Sequence, residues 1–79
     1  MRVVKITSES IKLGQLLKFL GLVYTGGETK EFLAENTIFL NKIPENRRGK
    51  QLFPGDLIEI GKEKYLIELE NVDKGTENI

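Results

Sequence analysis

The chain has 79 residues, of which 39% are apolar and 30% are charged, and it contains neither cysteine nor histidine. A chain this short forms one domain around one small core. The lack of cysteine excludes disulfides, thiolate metal sites and cysteine nucleophiles. The lack of histidine removes the commonest general acid or base near neutral pH. We therefore expect no enzyme, no bound metal and no cofactor.

Positive and negative charges balance over the whole chain but not along it. Residues 1–54 carry nine Lys/Arg and five Asp/Glu, a net charge of +4, whereas residues 55–79 carry three and seven, a net of −4. Because binding follows the local potential, the first part of the chain can attract an anion. An acidic end that only aids solubility is compatible with the same pattern. No apolar run is long enough to span a membrane, so we expect a cytoplasmic protein without a membrane partner.

The first third of the chain predicts a strand and a short helix. β-Branched residues favour a strand at 3–6. The polar residues at 7–10 include several candidates for a helix N-cap, and the sequence does not choose among them. Leucines at positions 13, 16, 17 and 20 then form one apolar helical stripe, and Gly21 lies where a left-handed C-cap residue belongs.

A second helix is predicted from Thr25. Thr25 and Glu28 have the spacing of a capping box, in which each side chain binds a free backbone N–H group of the other. Phe32 and Leu33 give this helix an apolar side. We expect Asn36 to end it in a left-handed conformation, which asparagine tolerates better than most residues.

The rest of the chain predicts short strands separated by turns. We expect strands at 38–40 and 52–53, turns at 43–46 and 54–56, and a hairpin of 57–60 and 65–69 around a four-residue loop. Residues 71–79 are polar and predict a frayed tail. The predicted fold is α+β, with two short helices packed on one face of a small, mostly antiparallel sheet.

Two features indicate a site for an anion. Gly26 and Gly27 start the second helix, where free N–H groups and the helix dipole favour phosphate, although glycines that only permit a sharp turn would look the same. The basic segment, residues 42–50, carries four cations against the single acid Glu45. Adjacent arginines in a turn suit phosphate binding and base stacking. A solubilising loop, with its arginines paired to the acidic C-terminal part, is an equal alternative.

These segments together resemble the RNA-binding domain first described in ribosomal protein S4, also called the alpha-L motif. The resemblance covers about residues 9–60 and is carried by KLGQLL at 12–17, TGGETK at 25–30, IFLN at 38–41 and PGD at 54–56. The likeness is closer to the short, free-standing, bacterial YaaA-like members, through LGQ at 13–15, TGGE at 25–28 and NRRGK at 46–50. It implies one S4-type domain over residues 1–70.

The resemblance implies a face for structured RNA. In such domains the start of the second helix and the loop after the central strand contact the RNA backbone. Together with the basic segment and Lys12, the candidate RNA-binding residues are Lys12, Thr25, Gly26, Gly27, Lys30, Asn41, Lys42, Arg47, Arg48 and Lys50. Larger family members usually have arginine at the position of Gly26, aspartate at Gly14 and glycine at Lys42, so a phosphate clamp is missing here unless the loop arginines replace it.

The function that we expect from the sequence is non-catalytic binding of structured RNA, either ribosomal or transfer RNA, and possible association with the ribosome. Recognition would depend on shape and phosphate contacts, because the loop offers few side chains that read base edges. The alternative is a protein-interaction adaptor of the same fold, which binds an acidic protein partner in a process such as replication or repair.

Overall fold

A computed structural model describes residues 1–70, so the predicted frayed tail at 71–79 lies outside the described residues. Within residues 1–70 the elements in chain order are β1 (Arg2–Ile6), β2 (Ile11–Lys12), α1 (Leu13–Phe19), α2 (Gly26–Glu35), β3 (Ile38–Leu40), β4 (Ile43–Glu45), β5 (Gln51–Leu52), β6 (Leu57–Ile60) and β7 (Glu63–Leu69). Neither helix in this part of the chain has the length and apolar character needed to cross a membrane.

Five strands form the main sheet in the order β1-β7-β6-β3-β4. Only β1 and β7 run parallel, and the other neighbouring strands are antiparallel. The two remaining strands, β2 and β5, form a separate antiparallel pair with Ile11 opposite Leu52. The predicted α+β fold with a mostly antiparallel sheet is therefore confirmed.

The core lies between the helices and one face of the main sheet. Alternate strand residues point inward, as the two-residue period of a strand requires, and meet the leucine stripe of α1. The most deeply buried side chains are Leu13, Leu16, Leu17, Thr29, Ile38, Leu52, Ile58 and Ile67. Because Leu52 of β5 is among them, the small β2–β5 pair is attached to the same core as the main sheet.

Helix α1 begins later than the polar residues at 7–10 suggest, so the expectation that one of them caps the helix was wrong. Lys12 occupies the N-cap position and makes no side-chain capping bond. The physical reason is that residues 11–12 are held in a strand by β5, and the backbone of a distant loop supplies the capping acceptors. The predicted C-cap is confirmed, because Gly21 has φ +78° directly after Leu20.

Helix α2 begins at the predicted capping box and ends at Asn36 as predicted, but the conformation of Asn36 differs from the prediction. The Thr25 hydroxyl accepts from the Glu28 N–H, and the Glu28 carboxylate accepts from the Thr25 N–H, each at 3.1 Å. Asn36 is extended, with φ −127° and ψ 138°, so its predicted left-handed conformation was wrong. Its side-chain amide donates to the Phe32 carbonyl at 3.0 Å, which satisfies a helix-end acceptor while the chain runs directly into β3.

The turn predicted at 43–46 was wrong for residues 43–45, which form the edge strand β4 opposite β3. Pro44 is tolerated because an edge strand needs hydrogen bonds on one side only. The turn lies instead at Asn41 and Lys42, whose φ values of 52° and 73° are both positive. Positive φ at both positions is the requirement of a two-residue type I′ turn.

The remaining boundaries differ from the predictions by one or two residues. The strand expected at 52–53 is β5 (Gln51–Leu52). The last hairpin closes through residues 61–62 rather than a four-residue loop, since Ile60 pairs directly with Glu63. The turn at 54–56 is confirmed, with the Asp56 N–H donating to the Phe53 carbonyl at 2.9 Å and Gly55 at φ +99°.

Candidate nucleic-acid interface

The loop between β4 and β5, residues 46–50, crosses the start of α1 and is here called the capping loop. The Lys50 carbonyl accepts from the Leu13 N–H, and the Arg48 carbonyl accepts from the Gly14 N–H, both at 2.8 Å. These are the first two N–H groups of α1, which have no acceptor within the helix. The loop backbone therefore caps the helix, and the helix start in turn fixes the position of the loop.

Gly14 allows this close approach. A Cβ atom at position 14 would lie 3.3 Å from the Arg48 carbonyl oxygen and 3.4 Å from the Arg48 Cβ. It would also lie 3.4 Å from the Thr29 methyl group. A side chain here would press on both the loop and α2. Larger family members usually have aspartate at this position. Here glycine leaves room for a loop that caps the helix with its own backbone carbonyls.

The Arg48 side chain extends from the capping loop to the first turn of α2. Its Nη1 atom lies 3.5 Å from the Gly26 carbonyl oxygen, which is the outer limit of a hydrogen bond. A Cβ atom at Gly26 would lie 3.8 Å from the same nitrogen. The guanidinium is thus beside the position where larger family members usually carry an arginine. No carboxylate within residues 1–70 forms an ion pair with Arg48.

The start of α2 retains two free donors. The capping box uses the N–H groups of Thr25 and Glu28, and the Thr29 N–H donates to the Thr25 carbonyl at 3.0 Å. In the described part of the chain, the N–H groups of Gly26 and Gly27 donate to no protein acceptor. Two free donors at the positive end of a helix dipole form a favourable environment for an anion.

The starts of the two helices and the capping loop enclose a groove of about 250 Å³, here called the junction groove. Its lining residues are Lys12, Gly14, Gln15, Lys18, Gly26, Thr29, Arg48 and Gly49. Three of these are cations, and none of the described lining residues is acidic. The structure therefore brings the candidates Lys12, Gly26 and Arg48 together at one place.

Five lining residues lie outside the site predicted from sequence: Gly14, Thr29 and Gly49, and the two with long polar side chains, Gln15 and Lys18. Positions 12, 15 and 18 are spaced three apart, so they share one face of α1 beside the apolar leucine stripe. That spacing is the signal that could have identified them. The candidate Lys30 lies in an adjoining groove with Asn46, and Arg48 lines both grooves.

Arg47 lies beside Arg48 in sequence but in a different electrostatic environment. Its Nε and Nη2 atoms donate to the two carboxylate oxygens of Glu45 at 2.8 and 3.0 Å. This bidentate bond lowers the pKa of Glu45 from 4.5 to about 2. The charge of Arg47 is therefore balanced by an acid of its own segment, and no acid of residues 55–70 pairs with it, in contrast to the alternative explanation.

The structure places the remaining candidates outside the junction groove or in internal bonds. The Asn41 side chain donates to the Asp56 carboxylate at 3.0 Å and accepts from the Leu57 N–H at 2.9 Å, so it holds two turns together. Lys42 pairs with Glu59 at 3.3 Å. Lys50 contributes its backbone to the cap of α1, and the Thr25 hydroxyl is used in the cap of α2.

Comparison with known proteins identifies the family of the chain. Residues 4–68 match the model of the S4 domain. The chain is also 44% identical over 57 residues to the "Probable ribosome maturation protein RlbA" of Bacillus subtilis (strain 168), an alignment that covers 72% of this chain and 80% of that protein. The matched region contains both helices, the capping loop and the main sheet apart from its terminal residues. The chain belongs to the S4 domain family.

Proposed function

We propose that this protein is a non-catalytic module that binds structured RNA in the junction groove. The observation that carries the proposal is the convergence of Lys12, Lys18 and Arg48 with Gly26, the first residue of α2, in a groove whose described lining has no acid. Cations from the face of α1 and from the capping loop, which are more than 25 residues apart in sequence, meet there. A solubilising surface needs no such convergence, whereas a phosphate site does.

The chemistry of the groove suits a phosphodiester backbone. The free N–H groups of Gly26 and Gly27 can donate to one phosphate, because a helix start favours an anion. The guanidinium of Arg48 can bind the same or the next phosphate in a bidentate manner. Lys12 and Lys18 add charge along the groove without fixing one geometry. Recognition would then depend on RNA shape and backbone, with Gln15 as the principal polar side chain available to a base edge.

The most favoured target is ribosomal RNA. The relative from Bacillus subtilis is named as a probable ribosome maturation protein, and it shares most of its length with this chain. We therefore propose that the protein acts in the cytoplasm on ribosomal RNA or on an assembling ribosome. Transfer RNA is the second structured RNA that the same groove could bind.

Salt dependence of RNA binding tests this proposal. Each phosphate neutralised contributes about −0.9 to the log–log slope on a B-form duplex, so the three groove cations and Lys30 predict a slope on the order of −3 to −4. The measurement is fluorescence anisotropy with a ribosomal RNA hairpin, a DNA hairpin of the same sequence, and polyglutamate. We expect the RNA hairpin to bind most tightly. A flat salt response, or polyglutamate that binds as well as RNA, would favour the acidic-partner adaptor instead.

A further inference from the structure

A second groove adjoins the junction groove along α1 and is here called the Phe19 groove. It has a volume of about 680 Å³. Its lining residues are Lys5, Ile6, Thr7, Ser8, Ile11, Gln15, Lys18 and Phe19. Gln15 and Lys18 line both grooves, so the two form one continuous surface. A ligand held in the junction groove can therefore reach the Phe19 groove without crossing another part of the protein.

Phe19 contributes little to the core. It is 66% exposed at the end of α1, while Leu13, Leu16 and Leu17 of the same helix are at most 1% exposed. An exposed phenyl ring without a hydroxyl group offers only its aromatic face and edge to a ligand. Two cations, Lys5 and Lys18, line the same groove, and no acidic residue of the described chain does.

Another exposed aromatic residue provides an internal contrast. Tyr24, which is 77% exposed, lines a different groove, which shares no residue with the Phe19 groove and contains Glu28, Glu31 and Glu35. That groove repels a polyanion, whereas the Phe19 groove attracts one. Of these two exposed rings, Phe19 therefore has surroundings that favour nucleic acid, and Tyr24 has surroundings that disfavour it.

We propose that Phe19 is a stacking platform for an unpaired base of the RNA whose backbone occupies the junction groove. This inference rests on the proposed function. Bases splayed out of an RNA helix commonly stack on exposed aromatic side chains, and such stacking tolerates any base. Lys5 and Lys18 can bind the phosphates that flank the stacked base, and the Gln15 amide can reach its edge. The preferred ligand is therefore a helical RNA with an adjoining single-stranded segment.

Three RNA probes test this inference with the full chain. The first is a blunt RNA hairpin, and the other two add a short unpaired extension containing 2-aminopurine at the 5′ or the 3′ end. We expect the protein to bind one extended probe at least about fivefold more tightly than the blunt hairpin, the lower end of the effect of stacking one base. Binding should also change the 2-aminopurine fluorescence of that probe.

Variants at the two aromatic positions make the test specific. F19A should reduce affinity for the extended probe to that for the blunt hairpin, remove the fluorescence change, and leave blunt-hairpin affinity unaltered. F19W should retain the preference, and Y24A, the matched exposed control, should change nothing. Melting temperatures of all variants should match that of the wild type, because the rings contribute little to the core.

The outcomes separate this inference from the proposed function. Equal binding of blunt and extended probes, with steep salt dependence, would overturn the stacking site and leave RNA binding intact. Loss of blunt-hairpin affinity in F19A would also overturn it, since Phe19 would then act on the junction groove itself. If no probe binds, the proposed function fails and the inference fails with it. If RNA binding is insensitive to F19A and the ring is needed instead for binding a protein, the site is a protein-docking surface.

Discussion

Helix α1 starts with its first N–H groups bonded to the carbonyls of a distant loop, whereas α2 starts with a cap made by its own side chains. At α1, Leu13 and Gly14 donate to the capping loop at 2.8 Å. At α2, Thr25 and Glu28 cap each other, and the N–H groups of the next two residues have no acceptor in the described chain. One helix start is therefore part of the fold, and the other is free to bind a ligand.

The same division separates the two adjacent arginines. Arg47 donates two hydrogen bonds to Glu45 beside the edge of the sheet, so its charge is locally balanced. Arg48, whose carbonyl caps α1, has its guanidinium beside the start of α2. The start of α1 thus fixes the loop that carries Arg48 to the start of α2. Arg48 forms no ion pair with a carboxylate of residues 1–70. The predictions below test this division, from the largest expected effect on stability to the smallest.

Replacement of Gly14 by valine should have the largest effect. The added methyl groups would extend beyond a Cβ atom that already lies 3.3 Å from the Arg48 carbonyl oxygen. Overpacking of this kind typically costs about 1–3 kcal/mol, and here it would also displace Arg48. We expect a lower free energy of unfolding in urea and weaker RNA binding.

The matched control for Gly14→Val is Gly49→Val in the same loop. A Cβ atom at position 49 meets nothing within 4 Å, and the residue does not have positive φ. Its effect on stability should be below about 0.5 kcal/mol. If the two changes lower the free energy of unfolding equally, the close approach at Gly14 does not hold the loop in place.

Replacement of Thr25 by alanine should cost about 1 kcal/mol, since α2 depends on its own side chains for its cap. In a small domain this is a measurable decrease in melting temperature. The control is Thr7→Ala, in the polar stretch that precedes α1, because α1 is capped by loop carbonyls and not by that stretch. A Thr7→Ala variant that loses as much stability as Thr25→Ala would contradict the difference between the two helix starts.

Acid titration should reveal the Arg47–Glu45 pair as a small contribution to stability. Because folding lowers the pKa of Glu45 from 4.5 to about 2, the unfolded chain binds more protons between these values. The contribution is therefore complete above pH 4.5 and is lost as the pH falls toward 2. Melting temperatures of the wild type and Glu45→Gln should differ most above this window and converge below it. The effect should be small because the Arg47 side chain is 69% exposed. A pH-independent difference would exclude the pair as its source.

Short sequence patterns predicted the structure correctly at several places where the interacting residues are close in sequence. The Thr25–Glu28 capping box and the Gly21 terminator were predictable because their partners lie within one helical turn. The leucine stripe of α1 likewise identified the face that packs on the sheet. The order of the predicted helices and strands also indicated the α+β arrangement, and the resemblance to the S4-type domain implied the same fold.

Short sequence patterns did not predict the structure where segments distant in sequence determine it. The start of α1 depends on the backbone carbonyls of Arg48 and Lys50. It also depends on the strand pair in which Ile11 lies opposite Leu52. These partners are more than 30 residues away in sequence, so a pattern of neighbouring residues does not predict them. Similarly, adjacent positions 47 and 48 look equivalent in sequence, and only the fold shows that one guanidinium meets Glu45 while the other meets α2. The sequence therefore indicated the region that contains the junction groove, but not which residues line the groove.

The most direct test compares two single variants, Arg48→Ala and Arg47→Ala, for affinity to the same ribosomal RNA hairpin. Arg48→Ala should weaken binding about tenfold or more, which corresponds to about 1.4 kcal/mol, while its melting temperature stays close to that of the wild type. Arg47→Ala should weaken binding by less than about threefold, because its charge is already balanced by Glu45. If Arg47→Ala weakens RNA binding as much as Arg48→Ala does, or if neither change affects it, the junction groove is not the RNA-binding site.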